Sequence, residues 1–209
     1  MIRASEGEII MFDTTLRKTK DRIGEPIARR LINISPNTIS LIGLGFGIAS
    51  AIFAARQLYF FGLAFWLLNR IFDGLDGLLA RLHNKQDDFG GYLDIILDFV
   101  AYAAIPLGFG LGLASQNVYL ALAFLLSIYY LNTASWMFLP AILEKRSARD
   151  PETTTTIIMP AGLIGGFETI LFYSLFFLLP QYILELFIVF SLLILITIIQ
   201  RLFWAKKNL

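Results

Sequence analysis

DGLDGLLAR, residues 73–81, is followed after eight residues by GGYLDIILD, residues 90–98, and both stretches lie inside an otherwise apolar run. Asp73, Asp76, Asp94 and Asp98 therefore sit where a membrane-grade sequence should carry no charge. An Asp near the centre of a spanning helix costs about 3 kcal/mol, so four together cost on the order of 10 kcal/mol unless something compensates. A cation is the compensator the chemistry favours. The i,i+3 spacing of the first pair and the i,i+4 spacing of the second put each pair on one helical face, one turn apart. Two such helices facing each other make a carboxylate cage, and that decides the fold: an all-α polytopic membrane protein with its acids turned inward.

The rest of the chain agrees. Of its 209 residues 57% are hydrophobic, the mean hydropathy is +0.70, and the apolar residues come in long blocks. Six blocks are long enough to span, at 37–55, 58–72, 89–114, 118–143, 157–179 and 182–204. The second is short unless it continues through Asp73, which we expect it to do. The start, to Asn33, is polar and charged, so no cleaved leader is expected. We divide the chain into an N-terminal amphipathic segment, 1–35, and one six-helix transmembrane domain, 36–209. Within the former, Leu16, Ile23, Ile27, Leu31 and Ile34 recur every three or four residues among Arg and Lys, as in an interfacial helix. It fits either a collar that fixes topology or a direct phosphate contact.

Sixteen of the 17 Lys and Arg residues fall before the first span, in alternate connections or at the end, and only Arg56 falls on the other side. Arg70, Arg81 and Lys85 are counted here to the connection after the second span. The positive-inside rule then places both termini and the cage in the cytoplasm. Cys is absent and His83 is the sole His, which excludes disulfides and thiolate or His-rich metal sites. Any metal must be held by oxygen, which points to Mg²⁺ or Mn²⁺ sharing its shell with substrate phosphates. Arg81 adds a planar fork suited to phosphate, while Gly77 and Ala80 clear space for a flat group. A proton- or cation-coupled transporter is the competing reading of intramembrane acids. Transporters favour midplane sites between related halves, whereas these acids cluster at one edge and no half-repeat is visible. His83, Asp87 and Asp88 read as loop residues, and the many Phe side chains as lipid-facing bulk.

Residues 73–98 resemble the signature of the CDP-alcohol phosphatidyltransferase family, D-x-x-D-G-x-x-A-R, eight residues, then G-x-x-x-D-x-x-x-D. Asp73, Asp76, Gly77, Ala80, Arg81, Gly90, Asp94 and Asp98 fill every fixed position. Pro36-Asn37-Thr38-Ile39-Ser40 is similar to the stretch that opens the first span in that family. The resemblance implies a homodimeric six-helix membrane enzyme that moves a phosphatidyl group from a CDP-linked lipid to an alcohol and releases CMP. It implies further that Asp73, Asp76 and Asp94 hold two Mg²⁺ or Mn²⁺ ions, that Asp98 is the base, and that Gly77, Ala80, Arg81, Gly90, Asn37 and Thr38 border the nucleotide. CDP-diacylglycerol is the expected donor, a small polar alcohol the acceptor, and no nucleic acid is involved.

The acceptor is not written in the motif. Residues 131–136 depart from the basic segments of phosphatidylglycerophosphate and phosphatidylinositol-type synthases. A phosphorylated acceptor would be clamped by Arg146, Arg149 or Arg201, and an uncharged or zwitterionic one by Asn132, Ser135 and Glu168. Glu168, in mid-block, is expected to face the interior and bond a neighbour, as structural glue or as an acceptor contact.

Overall fold

A computed structural model describes residues 24–147 and 162–209. Residues 24–30 are helical, whereas 31–34, with Leu31 and Ile34 of the expected interfacial helix, are turn and bend; the part of that helix before residue 24, and Arg149, lie outside the described residues. Six longer helices follow: α1 (Pro36–Ala55), α2 (Tyr59–Leu82), α3 (Asp88–Leu113), α4 (Gln116–Ser147), α5 (Gly166–Leu178) and α6 (Ile183–Asn208). Among the described residues there are no strands.

Among the described residues, four segments are long and apolar enough to cross a membrane: Pro36–Ala55, Asp88–Leu113, Gln116–Arg146 and Pro180–Asn208. Of the six expected spans, four meet that measure among the described residues. α2 has the length, 24 residues, but carries Arg70, Asp73, Asp76 and Arg81. α5 runs for only 13 residues, because the apolar block begun at Ile157 becomes helical, among the described residues, only at Gly166. α2 does continue through Asp73 as its sequence required.

α1 packs closely against both α2 and α3. α1 starts with Pro36, pre-set for the first helical turn, and ends at Arg56 before Gln57, which takes φ 57. Gln57 Nε2 then donates to the Gly112 carbonyl at 2.6 Å and ties the turn to α3. Along the α1–α3 contact, a Cβ on Gly108 would run into the Ala51 carbonyl, while one on Gly47 would stand 3.0 Å from the Ala101 Cβ. Without a hydrophobic drive between helices in lipid, such close backbone approach is what holds them. Gly108→Ala is expected to cost about 1–3 kcal/mol through overpacking, read as a lower thermal midpoint in detergent. Gly45, where a Cβ would meet nothing within 4 Å, should accept Ala without loss.

The second half packs through aromatic rings rather than small residues. Trp66, Phe109, Tyr173, Phe176, Phe187 and Phe190 are fully buried and meet in tilted or T-shaped pairs, Tyr173–Trp66 at 4.9 Å and Phe176–Phe187 at 5.0 Å among them. The assignment of the aromatics to lipid is therefore corrected. Phe60, Phe61, Phe138 and Phe203 are exposed, but the rings on the α2, α3, α5 and α6 seam are the core.

Two end contacts show which ends of the helices lie together. His83 Nε2 lies 3.1 Å from the Ala28 carbonyl, and Lys85 Nζ donates to the Ile32 carbonyl at 2.5 Å. These bring the end of α2 to the start of α1. Arg146 donates to the carbonyls of Asn208 and Leu209, joining the ends of α4 and α6.

Candidate active site

The α2–α3 turn is built to open a cleft. Asp87 caps α3: its carboxylate accepts the Gly90 N–H at 2.5 Å. A Cβ on Gly90 would stand 3.0 Å from Asn37 Oδ1, so the absence of a side chain there lets α1 and α3 approach across the opening. The cleft has a volume of about 180 Å³ and is lined by Asn37, Ser40, Asp76, Gly77, Ala80, Arg81, Lys85, Gln86, Asp87, Gly90 and Asp94, among others. It continues into an open hollow of about 460 Å³ between Asn33, Ser35, Asn37 and Lys85.

Deeper in, Asp73, Asp76, Asp94 and Asp98 all line a slot of about 10 Å³ between α1, α2 and α3, the room of one water or one bare ion. Asp76 and Asp94 border both spaces. Asp76 is 5% exposed and accepts a 2.5 Å hydrogen bond from Ser40 Oγ. The donor set is oxygen throughout, which fits a hard divalent cation. Among the described residues no three carboxylates converge closely enough to ligate one ion as they stand. A guanidinium sits among them instead.

That guanidinium is Arg70, assigned above to a loop but found buried inside α2. Its Nη2 donates to Asp98 Oδ1 at 2.7 Å and its Nη1 lies 3.6 Å from Asp73 Oδ2. A charge three residues before Asp73, on the same helical face, was the available signal.

The other sequence-designated residues divide. Gly77, Ala80, Arg81, Gly90 and Asn37 line the cleft, whereas Thr38 is exposed on α1 and is not among its lining residues. Ser40, one turn beyond Asn37 on the same face, is there instead. Asp87, read as a loop charge, is a helix cap and a cleft wall. Glu168 is not in mid-helix: it stands in the first turn of α5, where its Oε2 accepts the Gly165 N–H at 2.9 Å. The cost of an acid in that block is offset by the donors of a helix N-terminus.

A separate cavity of about 410 Å³ lies between α3, α4, α5 and α6, lined by Tyr102, Tyr129, Asn132, Thr133, Trp136, Thr169 and Arg201, among others. Arg201 is 6% exposed. Its Nη1 donates to Asn132 Oδ1 at 3.1 Å and Ser135 Oγ at 3.2 Å, and its Nε is buried without a hydrogen-bond partner. The two alternative acceptor sets thus meet in part at one place: Arg201 is joined there by Asn132 and Ser135. Arg146 is engaged at the helix ends.

The model of the CDP-alcohol phosphatidyltransferase family matches residues 33–200. The chain is 37% identical over 150 residues to the inner membrane protein YnjF of Escherichia coli strain K12, covering 71% of this chain and 72% of that protein. It is 33% identical over 96 residues to the phosphatidylinositol phosphate synthase of Mycobacteroides abscessus, covering 44% of this chain and 43% of that one. In fold it is similar to the crystal structure of Mycobacterium tuberculosis phosphatidylinositol phosphate synthase with CDP-DAG bound. The TM-score is 0.66 at 20% identity, over 88% of this chain and 94% of that one. The same enzyme in complex with manganese and citrate gives 0.65 at 19%, over 88% of each chain.

Proposed function

Because the chain belongs to the CDP-alcohol phosphatidyltransferase family, and is thereby an integral membrane transferase of phospholipid synthesis, we propose that it moves a phosphatidyl group from CDP-diacylglycerol to a small polar alcohol. The observation that carries this is the junction of the two spaces: a slot lined by four carboxylates opens, through Asp76 and Asp94, into a cleft bare of side chains at Gly77 and Gly90. The cytidine would lie against Gly77, Ala80 and Gly90 beside Asn37, with Arg81 and Lys85 facing its phosphates.

Asp73, Asp76 and Asp94 would hold Mg²⁺ or Mn²⁺, two ions in this reading, and the metal would neutralise the pyrophosphate. Asp98 takes the proton from the acceptor hydroxyl. The freed oxygen bonds to the lipid-linked phosphorus as the bond from that phosphorus to the bridging oxygen breaks, and CMP departs with that oxygen. Asp98 suits the task because it lies one turn, about 6 Å, along α3 from Asp94. The charge asymmetry of the connections supports six spans, with both termini and the cleft cytoplasmic; the family resemblance supports a homodimer.

The cavity at Arg201 suits the acceptor. A guanidinium that is buried, with one N–H unspent, matches a phosphate better than a neutral alcohol. If the acceptor is phosphorylated, Arg201→Ala is expected to raise its KM about tenfold or more, while the KM for CDP-diacylglycerol stays nearly unchanged. Unaltered acceptor kinetics would favour serine or another unphosphorylated alcohol held by Asn132 and Ser135.

The deciding experiment is purified protein in nanodiscs with labelled CDP-diacylglycerol and, in turn, glycerol 3-phosphate, serine, inositol and inositol phosphate. Acceptor-dependent CMP release with one of them establishes the reaction. Its absence with all four, at saturating Mn²⁺ and Mg²⁺, overturns the proposed donor or acceptor class.

A further inference from the structure

Arg70, Asp76 and Arg201 are the buried charged side chains among the described residues. The reaction proposed above uses the second and third and gives Arg70 nothing to do. We propose that Arg70 is a positioning residue for Asp98: its guanidinium fixes the carboxylate of the base and keeps it out of the metal shell. This inference rests on Asp98 being the base.

Every donor of Arg70 is committed. A guanidinium has five N–H groups in a rigid fork. Nε and one N–H of Nη2 donate to Asn69 Oδ1, at 2.9 and 2.7 Å, and Asn69 is itself anchored by its Nδ2 to the Gly43 carbonyl of α1 at 2.8 Å. The other N–H of Nη2 goes to Asp98 Oδ1 at 2.7 Å. Nη1 donates to the Tyr102 hydroxyl at 2.9 Å and faces Asp98 Oδ2 at 3.5 Å and Asp73 Oδ2 at 3.6 Å. The plane is gripped as well, with the guanidinium carbon 4.8 Å from the Trp66 ring centroid and 5.0 Å from that of Tyr102. Such a group has no free hydrogen with which to take a substrate phosphate. It acts on what it already holds.

What it holds is one edge of Asp98, unequally. Oδ1 is bound tightly and Oδ2 only at long range, so Oδ2 is the oxygen left to accept a proton. A carboxylate paired to a fixed cation away from water gains less from a metal ion than an unpaired one does. The short contact at Oδ1 therefore sets Asp98 apart from Asp76 and Asp94, which form no ion pair with Arg70, and from Asp73, which the guanidinium meets only at 3.6 Å, although all four line one slot. Tyr102, which also lines the Arg201 cavity, places this arrangement between the base and the cavity proposed for the acceptor.

The test compares Arg70→Gln, Arg70→Lys and Asp98→Asn in nanodiscs, reading kcat, the Kd of CDP-diacylglycerol, and Mn²⁺ affinity by electron paramagnetic resonance. Arg70→Gln is expected to lower kcat about 100-fold, with donor and Mn²⁺ affinity held within about threefold. Arg70→Lys, which keeps the charge but loses the fork, should recover part of that loss. In an Asp98→Asn background, Arg70→Gln should lower kcat no further, because both changes remove one function. If Arg70→Gln keeps its kcat while Asp98→Asn is dead, the inference is overturned and the base assignment stands. Equal losses of turnover, donor binding and Mn²⁺ binding also overturn it, since Arg70 would then be holding the whole cage. An active Asp98→Asn refutes the base assignment itself. Should Arg70→Gln fail to fold, Tyr102→Phe decides: loss of the 2.9 Å bond that steadies Nη1 should lower kcat severalfold at constant donor Kd, and an unchanged kcat overturns the proposal.

Discussion

Asp98→Asn is expected to slow CMP release by about 10²–10⁴-fold, the range in which positioned acid–base groups contribute, while CDP-diacylglycerol binding stays within about twofold. Asn is the informative replacement because of what surrounds the position. Its amide oxygen can still accept the Arg70 Nη2 hydrogen bond, 2.7 Å long in the parent, so the side-chain tie between α2 and α3 survives. What disappears is the capacity to take a proton. Asp98→Ala would also strand a buried guanidinium with Asp73, 3.6 Å away, as its remaining ion-pair partner, and breaking a buried pair from one side costs about 3–5 kcal/mol. Its loss of activity would report unfolding as much as chemistry. Single-turnover CMP release and equilibrium binding, measured on the same nanodisc preparation, separate the two quantities. A variant that keeps most of its rate shows that the proton goes elsewhere.

The carboxylate slot and the cleft beside it were legible because helical spacing brings their residues together. An i,i+3 pair and an i,i+4 pair need only helices to place their carboxylates on one face, and Gly77, Ala80 and Gly90 follow from the same register. Arg70 was not legible as a partner. Its ion pair reaches 28 residues along the chain to Asp98 and depends on how α2 and α3 are rotated against each other, which no local pattern encodes. Counting it to the connection overlooked that position 70 already falls inside the second apolar block, 58–72. Glu168 was misplaced for a related reason: the hydropathy of 157–179 is continuous, but the helix starts only at Gly166 among the described residues, and hydropathy does not report a cap. The aromatics show the opposite limit. In a chain with 19 Phe, composition cannot tell a ring facing lipid from one in the Tyr173–Phe176–Phe190 seam, because both environments are apolar.

Removing divalent metal is expected to abolish turnover and to weaken CDP-diacylglycerol binding with it, and Asp76→Asn should reproduce the coupled loss in milder form. Four carboxylates with Arg70 as their ion-pairing cation leave a net negative slot facing a pyrophosphate. Like charges a few ångströms apart away from bulk water repel by several kcal/mol, so without a counter-ion the donor is driven off rather than merely left unreacted. In the proposed reaction Asp76 is the point at which metal and donor would be linked. It borders both the slot and the cleft, is almost wholly buried, and is aimed by the Ser40 hydroxyl. Asn in its place keeps the size and can still bond Ser40, but it removes the charge that a hard cation requires. Mn²⁺ affinity, read by paramagnetic resonance, and donor affinity are expected to fall together by about tenfold or more, with activity in chelator restored by added Mn²⁺ or Mg²⁺. Full turnover in excess chelator would show that the carboxylates serve the reaction without metal. An Asp76→Asn variant that binds donor normally but has lost Mn²⁺ would show that the ion and the pyrophosphate do not share a site, and the division of labour among the four aspartates would have to be redrawn from Asp94.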